Sequence, residues 1–285
     1  MHEEYLKRIA EALERAYPNP PGSSFFTKAD AFIWKPELNN FEIIKKISSV
    51  KLSMLQGMDE EKEKVLNNTS ALVDNRFANN ILLWGARGMG KSTLIKSVFN
   101  EVNKSFKKLK IIEVSRDSIL ELDKLFSVLR EIDFKFIIFC DDISFDDGEN
   151  SYKSLKSILD GGLKGDAKNV VVYATSNRRH LLSRKTDGDL GFIRESEEND
   201  EKLSISDRFG ISIGLYECDQ RLFLEIINSY AQALGLTLEK EVLEKKAIAW
   251  QMQRGARSGR VAKQFIISLS NELNLDQELL NHLFS

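Results

Sequence analysis

Apolar residues recur at two different spacings along the chain, and the alternation between them predicts its architecture. Short apolar runs stand at Ile81–Trp84, Lys110–Val114, Phe136–Cys140, Val170–Ala174 and Ile211–Leu215. Runs this short, bounded by polar and turn residues, read as strands buried on both faces. Between them the apolar positions fall three and four apart. Leu94, Ile95, Val98, Phe99 and Val102 define a helix over Ser92–Phe106, and further helices are expected over Ser118–Arg130 and Tyr152–Leu159. Strands alternating with helices predict an α/β fold, a parallel sheet with helices on both faces.

After Asp219 the spacing is helical only, over 219–234, 239–253, 258–273 and 275–284. That predicts a small C-terminal helical lid domain over 218–285, behind an α/β domain over 50–217. A helix is expected from Gly57-Met58-Asp59-Glu60 to about Asn75, with Asp59 as its N-cap. Residues 2–17 form an amphipathic helix with Tyr5, Leu6, Ile9, Leu13 and Tyr17 on one face, broken by Asn19-Pro20-Pro21-Gly22. A second apolar patch follows at Phe25, Phe26, Phe32, Ile33 and Trp34, with core the more frequent fate of such residues. Residues 1–49 are therefore read as an N-terminal helical extension. The acid-rich segment Arg184–Lys202 reads as a surface loop.

Composition narrows the function classes. The chain has 285 residues and a net charge of −2, so no global basic field announces nucleic acid. Cys140 and Cys218 sit in apolar contexts and read as reduced packing residues. Three scattered histidines give no metal-ligand spacing. The polar N-terminus lacks the apolar stretch of a signal peptide, and no run approaches the roughly 20 residues of a membrane span. A cytoplasmic protein with no membrane partner is expected.

The chemistry begins at Gly85-Ala86-Arg87-Gly88-Met89-Gly90-Lys91-Ser92, a G-x-x-x-x-G-K-S phosphate-binding loop between a predicted strand and a predicted helix. Its glycines let successive N–H groups turn into one concavity at a helix N-terminus, which attracts phosphate oxygens. Lys91 is expected on the β- and γ-phosphates and the Ser92 hydroxyl on Mg²⁺. The candidate nucleotide contacts run through Thr93. The strand Phe136–Cys140 delivers Asp141 and Asp142 to the carboxyl edge of the sheet, where α/β ligands bind. Asp141 would hold Mg²⁺ opposite Ser92, and Asp142 would polarise the attacking water. The strand at Val170 ends in Thr175-Ser176-Asn177. If it lies beside the P-loop strand, Thr175 or Asn177 can reach the γ-phosphate or the water.

These residues, in this order, resemble the AAA+ ATPases over about residues 50–274. Gly85–Ser92 is similar to Walker A, Asp141-Asp142 to Walker B and Asn177 to sensor 1. Ser206-Asp207-Arg208-Phe209-Gly210 resembles the segment carrying the arginine finger. Arg260, in Arg257-Ser258-Gly259-Arg260-Val261-Ala262, resembles the sensor 2 arginine; it is preferred to Arg257 because Val261-Ala262 continues into the apolar helix. Gly57-Met58-Asp59 resembles the segment where AAA+ proteins pack adenine. More narrowly, Ala78–Gly85, Phe139–Phe145 and Ala174–Leu181, with Arg257–Arg260 and the nearby Gln264-Phe265, resemble one bacterial family of predicted AAA+ ATPases of unassigned function.

The resemblance implies a P-loop NTPase of the AAA+ type that takes ATP and Mg²⁺, assembles as a homo-oligomer (ring or filament), and completes its site with Arg208 from a neighbouring subunit. It implies ATP hydrolysis used to remodel, load or release a partner, protein or nucleic acid. One departure matters: most relatives end the Walker B strand in Asp-Glu. Asp142 is one methylene shorter, so slow or partner-dependent turnover is expected, and a nucleotide-gated adaptor with little turnover is the alternative. Glu149 could compensate. A small-molecule kinase is disfavoured by the helical C-terminal domain. Arg178-Arg179-His180 and Lys104, Lys107, Lys108 and Lys110 form basic clusters, as solvated faces tend to.

Overall fold

The structure is a computed structural model that describes residues 2–16, 20–143, 150–161, 167–177 and 207–284. Glu149, the Arg178-Arg179-His180 cluster, Arg184–Lys202 and Ser206 lie outside the described residues. In chain order the main elements are α1 (His2–Ala16), β1 (Ala31–Lys35), β2 (Asn40–Ile44), α2 (Asp59–Val73), β3 (Ile81–Gly85), α3 (Lys91–Ser105), β4 (Leu109–Glu113), α4 (Leu122–Leu129), β5 (Lys135–Cys140), α5 (Asn150–Leu159), β6 (Val170–Ser176) and β7 (Ile211–Leu215). The lid follows as α6 (Gln220–Ala233), α7 (Lys240–Arg254), α8 (Gly259–Glu272) and α9 (Gln277–Phe284).

Seven strands form one sheet in the order β2-β1-β4-β5-β6-β3-β7. All neighbours are parallel except β2, which runs antiparallel to β1. The five strands expected from the apolar runs are all present. Strand periodicity explains why those runs are unbroken: successive side chains point to opposite faces, and both faces are covered. In β5, Phe136 and Ile138 join the cluster beneath α4 and α5, while Ile137 and Phe139 pack with Leu94, Ile95, Val98 and Phe99 of α3. Each such buried side chain contributes about 1.5–3 kcal/mol.

Residues 1–49 differ from the expected helical extension. Only α1 is helical at length; residues 31–44 form a hairpin that adds two strands to the main sheet, with Phe32 paired to Ile112. The hairpin turns through Pro36 and Asn39, the latter left-handed at φ 44°. Phe26 is wholly buried among Phe32, Phe41 and Phe136, with ring centroids 5.1–5.2 Å away. The aromatic patch is therefore core. By contrast, every described side chain from residue 4 to 13 of α1 is exposed, including its apolar stripe.

The helix starts show two kinds of end. Asp219 caps α6 by accepting from Leu222 N at 2.7 Å, and Ser258 caps α8 by accepting from Val261 N at 3.2 Å. Asp59, expected as an N-cap, is instead the first helical residue of α2 and pairs with Lys62 at 2.6 Å. An acid in that first turn favours the helix dipole without needing a cap bond. The lid buries Phe223, Ile227, Phe265 and Ile266 in the same cluster as α3, so lid and sheet share one core.

Candidate nucleotide site

The P-loop leaves the carboxyl edge of β3, between β6 and β7. Gly85 sits at φ 139°, and a Cβ there would lie 2.1 Å from the Leu215 carbonyl oxygen of β7. Only glycine lets the strand turn this close to its neighbour. Gly88, at φ 82°, lies against the first turn of α8: a Cβ would meet Ser258 Oγ at 2.9 Å. The loop is thus shaped by the sheet on one side and the lid on the other.

A cleft of about 630 Å³ opens between them. Arg87, Gly88, Gly90, Lys91, Ser92 and Thr93 line it from the loop, Asp141, Asp142, Thr175 and Asn177 from the sheet edge, and Arg260 and Lys263 from the lid. Lys91 is only 7% exposed. Its ammonium donates to Gly85 O at 2.7 Å, Ala86 O at 2.9 Å and Asn177 Oδ1 at 3.0 Å. Burial holds its pKa below the ordinary lysine value; Asp142 and Asp141 oppose that shift, and Arg260 and Arg87 add to it.

The carboxylates are organised by Thr175. Its hydroxyl donates to Asp141 Oδ1 at 2.6 Å and accepts from Asp142 N at 2.8 Å. Ser92 Oγ donates to the same Asp141 oxygen at 2.5 Å. Asp142 adopts φ 53°, and the ladder resumes at once with Ile143 N donating to Thr175 O at 2.8 Å. This left-handed residue, tolerated by aspartate, sits at the sheet edge where its carboxylate lines the cleft. There it accepts from Asn177 Nδ2, and Arg87 Nη2 approaches to 3.9 Å. Behind it, burial pushes the Cys140 thiol up to about 12, so this cysteine is a packing residue.

A second, apolar pocket of about 150 Å³ lies beside Gly90, lined by Leu55, Gly57, Met58, Leu222 and Ile226 among others. The segment expected at adenine therefore forms an apolar wall next to the phosphate loop. The far end of the larger cleft is closed by residues the sequence reading missed. Ser48 Oγ donates to Phe284 O at 3.0 Å, Tyr230 packs on the Phe284 ring at 5.2 Å, and the Lys263 ammonium sits 4.5 Å above that ring. Lys263 follows Arg260 by one helical turn, a spacing that could have found it. Nothing local in the sequence marks Ser48.

Arg208 is not in the cleft. It lies before β7 at the opposite edge of the sheet, where its Nε donates to Asp160 Oδ1 at 2.5 Å. Arg257 bonds Gln251 Oε1 at 3.3 Å and is exposed. Among the described residues no cluster of three or more histidine, cysteine or carboxylate side chains could hold a metal, and no helix is long and apolar enough to cross a membrane.

A glycine loop after β3, paired carboxylates after β5, β6 inserted between those two strands, and helices closing over the loop define a P-loop nucleoside-triphosphatase fold of the AAA+ type. Within that class the chain belongs to the family described as "Protein of unknown function (DUF815)", whose profile matches residues 27–273. No curated protein matches it significantly. Among solved structures it is similar to a Thermotoga maritima RuvB variant (15% identity, 82% of this chain and 87% of that one, TM-score 0.48). It is also similar to the T. maritima RuvB Holliday junction branch migration motor (14%, 81% and 89%, TM-score 0.45). AMPPCP-bound DnaA from Aquifex aeolicus is a third (20%, 75% and 62%, TM-score 0.48).

Proposed function

We propose that the chain binds ATP with Mg²⁺ between sheet edge and lid, and hydrolyses it at a boundary between subunits of a homo-oligomer to remodel, load or release a macromolecular partner. One observation carries this reading. Lys91 and Ser92, Asp141 and Asp142, Asn177, and Arg260 come from four separate stretches of chain and line one cleft.

Each side chain suits a defined task. The N–H groups at the start of α3 and the Lys91 charge would hold the phosphates. Ser92 and Asp141 offer hard oxygen donors, the set that suits Mg²⁺ when waters and phosphates complete the shell; the ion would neutralise phosphate charge. Asn177 would orient the attacking water and Asp142 would take its proton. Attack at the γ-phosphorus breaks the bond to the bridging oxygen and releases ADP and phosphate. Arg260, on the lid, would report phosphate state as lid position. Arg208 faces away from its own cleft, and this supports a role across a subunit boundary.

ATP hydrolysis measured against protein concentration tests the proposal. Specific activity should rise with concentration; a constant value at all concentrations refutes the shared site. A second reading is favoured by the state of Asp142, which is short and held by both Asn177 and Arg87. ATP retained without phosphate release would make the chain a nucleotide-gated adaptor.

A further inference from the structure

The phosphate loop carries a cation that its motif does not require. The pattern G-x-x-x-x-G-K-S leaves the third position open, because backbone N–H groups and the lysine suffice to cradle phosphates. Here that position is Arg87. Its main chain is fixed from both sides. The Lys91 ammonium donates to the carbonyl of Ala86 at 2.9 Å, and Gly88, at φ 82°, lies against Ser258 and Arg260 of the lid. Its side chain is held far less. The guanidinium is 75% exposed, lines the nucleotide cleft and approaches Asp142 Oδ2 only to 3.9 Å. An open, exposed pair of this kind contributes little to stability.

The charges around it call for an anion. Arg87, Lys91, Arg260 and Lys263 line the cleft against Asp141 and Asp142, so cations outnumber carboxylates among the described lining residues. Arg87 and Arg260 both lie close enough to Lys91 to act on its ammonium as like charges. Like charges gathered in one cleft repel unless an anion comes between them. Arg87 stands on the Asp142 side of that group. Asp142 is the carboxylate placed to activate water, so the phosphate that belongs beside it is the terminal one.

We propose that the Arg87 side chain is a ligand of the γ-phosphate, exchanged from Asp142 when a triphosphate enters the cleft. The assignment rests on the nucleotide reading proposed for this cleft and deepens it. A terminal phosphate offers several charged oxygens to the planar guanidinium fork, where Asp142 now offers one at the limit of an ion pair. A diphosphate places nothing there, and Arg87 stays with Asp142. One subunit thus distinguishes ATP from ADP with a residue of its own loop. The candidate base keeps its Asn177 bond throughout and loses only the competing cation.

The test is calorimetric titration of the full chain, in Mg²⁺, with AMPPCP and with ADP. Arg87→Ala should weaken AMPPCP binding about tenfold to a hundredfold, the loss of a hydrogen bond between charged groups, and leave ADP binding unchanged. Asp142→Asn frees the guanidinium in advance. AMPPCP affinity should therefore gain more from Asp142→Asn when Arg87 is present than in the Arg87→Ala background, by up to about fivefold. Position 87 is exposed, so an unchanged Tm is the folding control. None of these readouts needs hydrolysis. A parent chain that binds neither nucleotide overturns the nucleotide reading, and this assignment with it. A parental AMPPCP-to-ADP ratio in Arg87→Ala overturns the assignment alone. So do equal losses for the two nucleotides, or equal gains from Asp142→Asn with and without Arg87.

Discussion

Asn177 links the two charged groups of the cleft: its side-chain N–H donates to the Asp142 carboxylate while its carbonyl oxygen accepts from the Lys91 ammonium. One amide thus spans the candidate phosphate-binding cation and the candidate base. The amide supplies a donor and an acceptor on two separate atoms, where the Thr175 hydroxyl nearby does both through one oxygen.

If Asp142 takes the proton of the attacking water, Asp142→Asn should lower turnover by about 10²–10⁴, the range of general-base catalysis. ATP affinity should stay within a few-fold. Asp142→Glu restores the longer arm and should raise turnover. Steady-state rates beside equilibrium binding check this; an unchanged rate in Asp142→Asn would remove the residue from the chemistry.

Lys91 sets a pH dependence. Burial holds its pKa below the ordinary value of 10.5. Between the depressed value and 10.5 the folded chain carries fewer protons than the unfolded one, so this group's contribution to stability rises with pH there. Affinity moves the other way, because phosphate needs the charged ammonium. Calorimetric titration should find ATP binding weakening below pH 10.5, and Lys91→Ala should abolish binding at every pH.

Arg208→Ala should leave nucleotide binding intact and remove the concentration dependence of hydrolysis, with a loss of about 10³ or more by analogy with arginines supplied in trans. Hydrolysis by an isolated subunit at the full rate would refute the role.

Phe26 belongs to the sheet's core, not to a detachable arm. Phe26→Ala should cost about 3–5 kcal/mol, read as a fall in Tm and in denaturation midpoint. A loss below about 1 kcal/mol would mean the aromatic cluster is dispensable.

The nucleotide cleft was legible because its signals are local: a loop of glycines, a strand ending in two acids, another ending in Thr175-Ser176-Asn177. The parallel strands were legible because burial on both faces leaves unbroken apolar runs. The β1–β2 hairpin was not. Its run Phe32-Ile33-Trp34 looks like any apolar patch until β4, from residue 109, supplies the pairing edge. Ser48 and Phe284 were equally hidden, since they meet across 236 positions of chain. Arg260 was found through its motif, whereas Lys263 needed the helix face to be drawn.

The Ser48–Phe284 bond has a practical side. It seats the last helical turn on the segment that leads into α2, at the rim of the nucleotide cleft. A bulky substitution at Ser48, such as Ser48→Phe, would lose that bond and crowd the space Tyr230 and Lys263 share with the Phe284 ring, reshaping the cleft from a position outside all of its motifs.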